Sequence, residues 1–302
     1  MQIDLPAIPL QKITDSITSG KGVHLYVLRT DLNHPHISGN KLYKLKYNLQ
    51  AAHRANKGTL LTFGGAFSNH IAAVAAAGKT YGFKTIGIIR GESCALLNPT
   101  LQFATDQGMQ LEYVSRELYR QKEELVKYVK QKYGGTVFLI PEGGSNELGI
   151  WGCKEIISHI PVNFDHVCCA CGTGATLTGI ILSLKNVQQA LGFQVLKAPG
   201  YIRQEVTRHL EMAGQLKQNW CILDNYHFDG YAKIKTELMT FIEKFENSHR
   251  IPLDPVYTGK MMFGLYDLIQ KDYFSKGATI VAIHTGGLQG RAPKQGQFTG
   301  EC

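Results

Sequence analysis

The chain has 302 residues and a mass of 33.5 kDa, with 44% hydrophobic and 19% charged residues and a formal charge of +8. That composition excludes a disordered or fibrous chain, and the length exceeds what one hydrophobic core usually serves, so two lobes are expected. The lysines and arginines are dispersed and no nucleic-acid motif is present, so the charge points to attraction of anionic small molecules and no nucleic-acid partner is expected.

The opening "MQIDLPAIPLQKI" lacks the basic and continuous apolar regions of a signal peptide, and no run approaches the roughly 18 to 20 apolar residues of a membrane span. A cytoplasmic protein with no membrane partner is expected. The cysteines fall at 94, 153, 168, 169, 171, 221 and 302, an odd count without metal-ligand spacing, and read as reduced thiols, mostly buried.

Short apolar runs alternate with stretches of helical periodicity along the chain, the pattern of an α/β protein with parallel sheets. The first group of expected strands is Thr59 to Phe63, Thr85 to Ile89, Leu111 to Val114 and Val137 to Ile140. The second is His166 to Ala170, Phe193 to Leu196, Trp220 to Leu223 and Thr279 to His284, with helical segments such as Ala232 to Glu246 and Gly259 to Lys271 between. No linker or repeat marks a border. The two groups place it near residues 48 and 140, so that residues 1–47 join 141–302 in a large domain around a small domain of 48–140. "VHLYVLRTDL" then returns to the second lobe, and a ligand is expected between the lobes at the carboxyl ends of the strands.

The first stretch with chemical content is "SGNKLYKLKYNL", residues 38 to 49, where Lys41 and Lys44 stand three apart at the start of an amphipathic run. Next, "LLTFGGAFSNHIAAVAAAGKTYGF" reads as a strand, a double-glycine turn, and an Ala-rich helix capped by Ser68 or Asn69 and ending at Gly78. Its N-terminus suits a carboxylate, and equally the two residues serve as caps alone.

"VCCACGTGATLTGI" is a strand, a Gly-Thr-Gly-Ala-Thr loop and a helix. Tight glycine turns with two hydroxyls make a phosphate cup; the alternative is a turn with no ligand. It is neither a Walker loop nor a Gly-x-Gly-x-x-Gly fingerprint, and "FQVLKAPG" supplies no acidic residue after the next strand. A phosphate other than that of ATP or NAD is therefore expected. In "DPVYTGKMMFGLYDLI" Tyr257 and Thr258 sit at a loop tip, a proton donor and a hydrogen-bond partner, ahead of a helix of core residues. In "AIHTGGLQG" His284 ends a strand and Gly286 and Gly287 turn away.

A lysine on an early loop, a helix N-terminus for a carboxylate, a phosphate cup and a late polar loop are together what pyridoxal 5'-phosphate requires. In this light the ordered segments "SGNKLYKLKYNL", "FGGAFSNHIAAVAAAG", "PEGGSNELGIWGC", "CGTGATLTG", "PVYTGK" and "HTGGLQG" resemble the tryptophan-synthase-β-type family of pyridoxal phosphate enzymes. Within it they resemble the branch of D-cysteine desulfhydrase and 1-aminocyclopropane-1-carboxylate deaminase. The resemblance runs from about residue 29 to 290.

It implies a two-lobed, fold type II α/β architecture, each lobe a mostly parallel sheet flanked by helices. It also implies a homodimer and a small amino-acid substrate. Lys41 would carry the cofactor as a Schiff base and remove the substrate's Cα proton, and Lys44 would help bind the phosphate with Gly172, Thr173, Gly174, Ala175 and Thr176. Ser68, Asn69 and His70 would take the substrate carboxylate and the cofactor ring. Tyr257 would face the substrate side chain, with Tyr231 of "FDGYAK" as a second tyrosine. Lys46 reads as an exposed helix residue.

Thr258 stands where cyclopropane deaminases resemble one another in having glutamate and the desulfhydrases carry threonine. A hydroxyl leaves the ring nitrogen largely neutral, a weaker electron sink that suffices to expel a β-substituent. A D-cysteine desulfhydrase-like β-elimination to pyruvate, ammonia and sulfide is therefore expected. The alternatives are cyclopropane-carboxylate deamination to 2-oxobutyrate, or a non-catalytic protein that binds the cofactor or another phosphometabolite. Ser38 and Tyr43 depart from the family pattern, which more often has glycine and arginine there, and leave the substrate open.

Overall fold

A computed structural model describes residues 1–93 and 95–291; Cys94 and Cys302 lie outside the described residues. Its strands are β1 Leu10–Ile13, β2 His24–Leu28, β3 Thr59–Gly65, β4 Lys84–Arg90, β5 Met109–Val114, β6 Val137–Ile140, β7 His166–Cys171, β8 Gln189–Gln194, β9 Trp220–Leu223 and β10 Thr279–Ile283. The helices are α1 Ser16–Lys21, α2 Asn40–Arg54, α3 Asn69–Tyr81, α4 Pro99–Asp106, α5 Arg116–Arg120, α6 Lys122–Tyr133, α7 Glu147–Lys154, α8 Ala175–Ser183, α9 Tyr201–Met212, α10 Thr236–His249 and α11 Thr258–Gln270.

The strands make two sheets. One is six-stranded in the order β1-β2-β10-β7-β8-β9, parallel except for β1; the other is four-stranded and all parallel, β5-β4-β3-β6. Parallel strands covered by helices on both faces are apolar throughout rather than alternating, and "HVCCAC" shows why. Cys168 and Ala170 pack with Leu25, Val27, Phe193 and Leu265 on one face, while Val167, Cys169 and Cys171 pack with Leu177, Ile180 and Val281 on the other. The cysteines act there as small apolar side chains, none of them paired.

The fold corrects three expectations. The strand expected at Phe193 to Leu196 runs from Gln189 to Gln194. Gly192, inside the strand, is a contact point where a Cβ would stand 2.4 Å from Leu177 Cδ2, so α8 can close on the sheet. The helix expected to end at Gly78 continues to Tyr81 and is capped by Gly82 at φ +75°, whose N–H reaches the carbonyl of Gly78. Gly78 is interior because a Cβ there would stand 2.3 Å from Thr85 Cγ2. The helix expected from Ala232 begins instead at Thr236, since Phe228, Asp229 and Ala232 all adopt positive φ, which no helix accommodates.

Two close approaches position α2. Gly39, at φ +71° and ψ −147°, is restricted to glycine, and a Cβ there would lie 2.0 Å from the Thr285 carbonyl. Gly152 of α7 lies directly against α2, where a Cβ would stand 1.9 Å from the Tyr43 carbonyl. The start of α2 is thereby fixed between the loop after β10 and α7.

Candidate active site

The carboxyl ends of β3, β4, β6, β7, β8 and β10 open on one cleft of about 590 Å³, where α/β folds place their ligands. Lys41 enters it from the first turn of α2. The backbone before it is braced by Asn33, whose Nδ2 donates to the Gly39 carbonyl at 2.9 Å and whose Oδ1 accepts from the Gly39 N–H at 3.0 Å. Lys41 Nζ donates to Asn40 Oδ1 at 2.9 Å, and Asn40 Nδ2 donates to Thr176 Oγ1 at 2.8 Å. A single amide thus links the lysine to the glycine loop. Burial, and then the charge of Lys44, bring the Lys41 ammonium from 10.5 to about 7, so near neutrality about half of these side chains are free amines.

Lys44 is buried one helical turn on, and its Nζ donates to the Gly143 carbonyl at 2.9 Å. Gly143 in turn abuts Thr173, whose Cγ2 would be 3.2 Å from a Cβ there. The loop after β7 turns at Gly174, φ +77°, and opens α8 at Ala175. The free N–H groups of that helix start, Thr173 and Lys44 together form an anion receptor. Lys46 differs from its expected exposed state: it is half-buried and paired with Glu155 Oε2 at 2.7 Å.

Ser68 caps α3, its Oγ accepting from the N–H groups of His70 and Ile71. Gly64 allows this turn, since a Cβ there would stand 2.7 Å from Ser68 Oγ. His70 is directed inward, its Nε2 2.8 Å from Thr62 Oγ1, which itself donates to the Ile140 carbonyl at 2.8 Å. The Thr62 proton is therefore committed, and the network assigns the imidazole proton to Nε2. His70 Nδ1 is buried without a partner among the described residues. Burial, then the charges of Lys41 and Lys44, hold the ring neutral, well below the usual histidine range.

Across the cleft, the Tyr257 hydroxyl donates to that of Tyr231 at 3.4 Å, with the rings edge to face. Burial, then Tyr231, push the Tyr257 phenol well above its ordinary value, so it stays protonated. Asp254 builds this turn: its carboxylate accepts from the N–H groups of Val256, Tyr257 and Thr258 and from Thr258 Oγ1. Thr258 Oγ1 also accepts from the Asp254 N–H.

Lys41, Lys44, Ser68, Asn69, His70, Gly172, Thr173, Gly174, Thr176, Tyr231 and Tyr257 all line the cleft. Thr258 and Ala175 are fully buried behind its wall. Sequence reasoning missed Asn40, Arg90, Glu142 and Asp254. For Asn40, its place between Gly39 and Lys41 was the available signal. The others contact the site only through the fold.

These residues fit pyridoxal phosphate. A lysine amine close to neutrality suits its aldehyde, the receptor at Lys44 and Gly172 to Thr176 suits a phosphate dianion, and the orphaned His70 Nδ1 is an acceptor that a bound group can satisfy.

Comparison with known proteins agrees. The family model described as pyridoxal-phosphate dependent enzyme matches residues 5–286. A Thermotoga maritima protein, provisionally named a 1-aminocyclopropane-1-carboxylate deaminase, is 31% identical over 96% of this chain and 97% of its own. The Arabidopsis thaliana protein named bifunctional D-cysteine desulfhydrase/1-aminocyclopropane-1-carboxylate deaminase, mitochondrial, is 32% identical over 92% of this chain and 75% of its own. A crystal structure described as an ACC deaminase homologue superposes with a TM-score of 0.80 at 29% identity, covering 95% of this chain and 91% of that one.

Proposed function

We propose, for a chain that belongs to the pyridoxal-phosphate dependent enzyme family, a β-elimination that converts a small amino acid, D-cysteine first, into pyruvate, ammonia and sulfide. The observation that carries this reading is the pairing across one cleft of a near-neutral amine, Lys41, with a phenol held protonated, Tyr257. Base and acid stand ready in opposite protonation states, as a reaction that removes one proton and supplies another requires. Pyridoxal phosphate, bound through Lys41, supplies the electron sink that acidifies the substrate's Cα–H bond.

In this reading Lys44, with Gly172 to Thr176, holds the phosphate, and Ser68, Asn69 and the N-terminus of α3 hold the substrate carboxylate. His70 and Asn69 flank the ring. Lys41 Nζ takes the Cα proton, the bond from Cβ to sulfur breaks, and Tyr257 gives its proton to the departing sulfur. Thr258, whose hydroxyl is bonded to Asp254 behind the cleft wall, takes the place that glutamate holds in the cyclopropane deaminases, which supports elimination over cyclopropane opening. The cysteines of β7, buried and unpaired, accord with a reducing cytoplasmic setting. A homodimer and the division into 1–47 with 141–302 and 48–140 complete the reading.

The test is release of pyruvate and sulfide from D- and L-cysteine against 2-oxobutyrate from 1-aminocyclopropane-1-carboxylate, beside a Lys41→Ala control. Elimination predicts sulfide from one cysteine enantiomer and none from the control. Release of 2-oxobutyrate alone would transfer the assignment to cyclopropane deamination, and bound cofactor without turnover of any amino acid would leave a binding protein.

A further inference from the structure

One cation in the cleft has no assignment in the reaction above. Arg90, the last residue of β4, stands exposed on the cleft wall. Its guanidinium lies 5.7 Å from the centroid of the Tyr119 ring, which steadies it without neutralising it. Its Nη2 is 3.6 Å from the point where a Cβ would stand on Gly65, at the turn leading to Ser68.

Among the described residues lining the cleft, the formally charged groups are Lys41, Lys44, Arg90 and Glu142. Lys41 is near neutrality, and Lys44 is held at the Gly143 carbonyl beside the phosphate receptor. Glu142 is engaged by Lys122 at 2.7 Å. The Arg90 side chain has no hydrogen bond or ion pair among the described residues. Arg90 shares the cleft with Tyr231 and Tyr257: burial raises the Tyr231 phenol, and the Arg90 charge is felt at Tyr231 in the opposite sense. A free, planar, five-donor cation therefore stands on the cleft that holds the acid assigned to the leaving group, with a fork suited to carboxylate, sulfonate or phosphate oxygens.

We propose that, beyond cysteine, the cleft takes β-substituted alanines and among these favours the ones whose leaving group carries a negative charge of its own, with Arg90 the residue that selects them. The inference rests on the β-elimination proposed above. In that step Lys41 Nζ takes the Cα proton, the bond from Cβ to the leaving atom breaks, and its electron pair departs with the leaving group. A double bond forms between Cα and Cβ, and water hydrolyses the released enamine to a 2-oxo acid and ammonia. No oxidant or reductant is consumed.

The experiment compares kcat/KM of the pyridoxal phosphate holoenzyme for O-succinylserine and O-phosphoserine with that for O-acetylserine, in both enantiomers, for wild type, Arg90→Gln and Arg90→Lys. The wild type is expected to favour the anionic substrates. Arg90→Gln should reduce the anionic-to-neutral ratio by roughly ten- to a hundredfold, the worth of one charge-assisted hydrogen bond, with Arg90→Lys in between. A succinyl or a phospho preference tells which anion is read. A ratio that Arg90→Gln leaves unchanged, or a wild-type preference for O-acetylserine, overturns the inference while leaving elimination intact. No 2-oxo acid from any of the three, with sulfide still released from cysteine, overturns the inference alone; no product from cysteine either overturns both, and a borohydride-reducible link at Lys41 then shows whether the cofactor was in place. Independently of turnover, glutamate should protect the holoenzyme from thermal unfolding more than norvaline, and Arg90→Gln should abolish the difference. Equal protection by the two in wild type counts against the proposal.

Discussion

The most exacting prediction concerns the Lys41 amine in the cofactor-free protein. A folded-state pKa of about 7 against 10.5 for an ordinary lysine corresponds to a preference of about 5 kcal/mol for the neutral form. At pH 7 the reactive fraction should exceed that of a surface lysine by roughly a thousandfold. Burial is the larger cause and Lys44 the second, which gives a perturbation. Lys44→Met keeps the volume and removes the charge. Two charges about 6 Å apart on one helix face, at an effective dielectric near 20, repel by up to about 3 kcal/mol, so the Lys41 midpoint should rise by about one to two pH units. Because burial remains, it should stay below 10.5.

The assay is the pH dependence of reductive methylation of Lys41, read by mass spectrometry of its peptide. A linked effect has a definite sign. Between pH 7 and 10.5 the unfolded lysine holds its proton and the folded one has lost it, so stability of the cofactor-free protein rises with pH across that window and the gain is absent in Lys41→Met. A wild-type midpoint near 10, or a downward shift in Lys44→Met, would refute the argument that desolvation and Lys44 tune this amine.

Two other substitutions test the framework. Gly152→Ala would place a methyl group 1.9 Å from the Tyr43 carbonyl, forcing α7 from α2 at a cost of roughly 1–3 kcal/mol or more; urea unfolding should show the loss, and an unchanged midpoint would mean that the helices have room. Lys260 is fully buried and donates to the carbonyls of His227 and Gly230 at 2.9 and 2.7 Å, tying down the strained loop that carries Tyr231. Lys260→Met should speed amide exchange over residues 227–232, and exchange no faster than in wild type would remove the anchoring role. Burial lowers the Lys260 ammonium to about 8, so the cost of holding it charged is full below pH 8 and relieved toward 10.5. The stability of wild type relative to Lys260→Met should accordingly grow over that interval.

What could be read from the sequence was local. Lys41 after a Gly-Asn turn, Ser68 at a helix start, the loop at 172–176 and Tyr257 are recognisable within a few residues, because turn chemistry and capping are short-range. What could not be read pairs distant positions: Asn40 with Thr176 across 136 residues, Lys260 with the loop before α10, and Arg90 with the cleft. The misplaced boundaries share a cause. Gly78 looks like punctuation in isolation, but it, like Gly192 inside β8, is a contact point whose reason lies in a neighbouring element. Thr258 was legible as a residue, but not its engagement with Asp254, which takes up its donor and one of its two acceptor lone pairs.

The order of the strands has a consequence for how the chain acquires its shape. The four-stranded sheet is completed by residues 59 to 140 alone, whereas β2, which leads into the lysine helix, lies between β1 and β10 and receives its parallel neighbour only when residues 279 to 283 exist. On a ribosome the smaller sheet can therefore close first, while the strand ahead of Lys41 waits through some 250 residues of synthesis for its partner. The Thr285 carbonyl that receives the Asn40 N–H follows that same late strand. The Lys41 end of that helix therefore gains its last brace only when the end of the chain has been made, although the smaller sheet needs none of it.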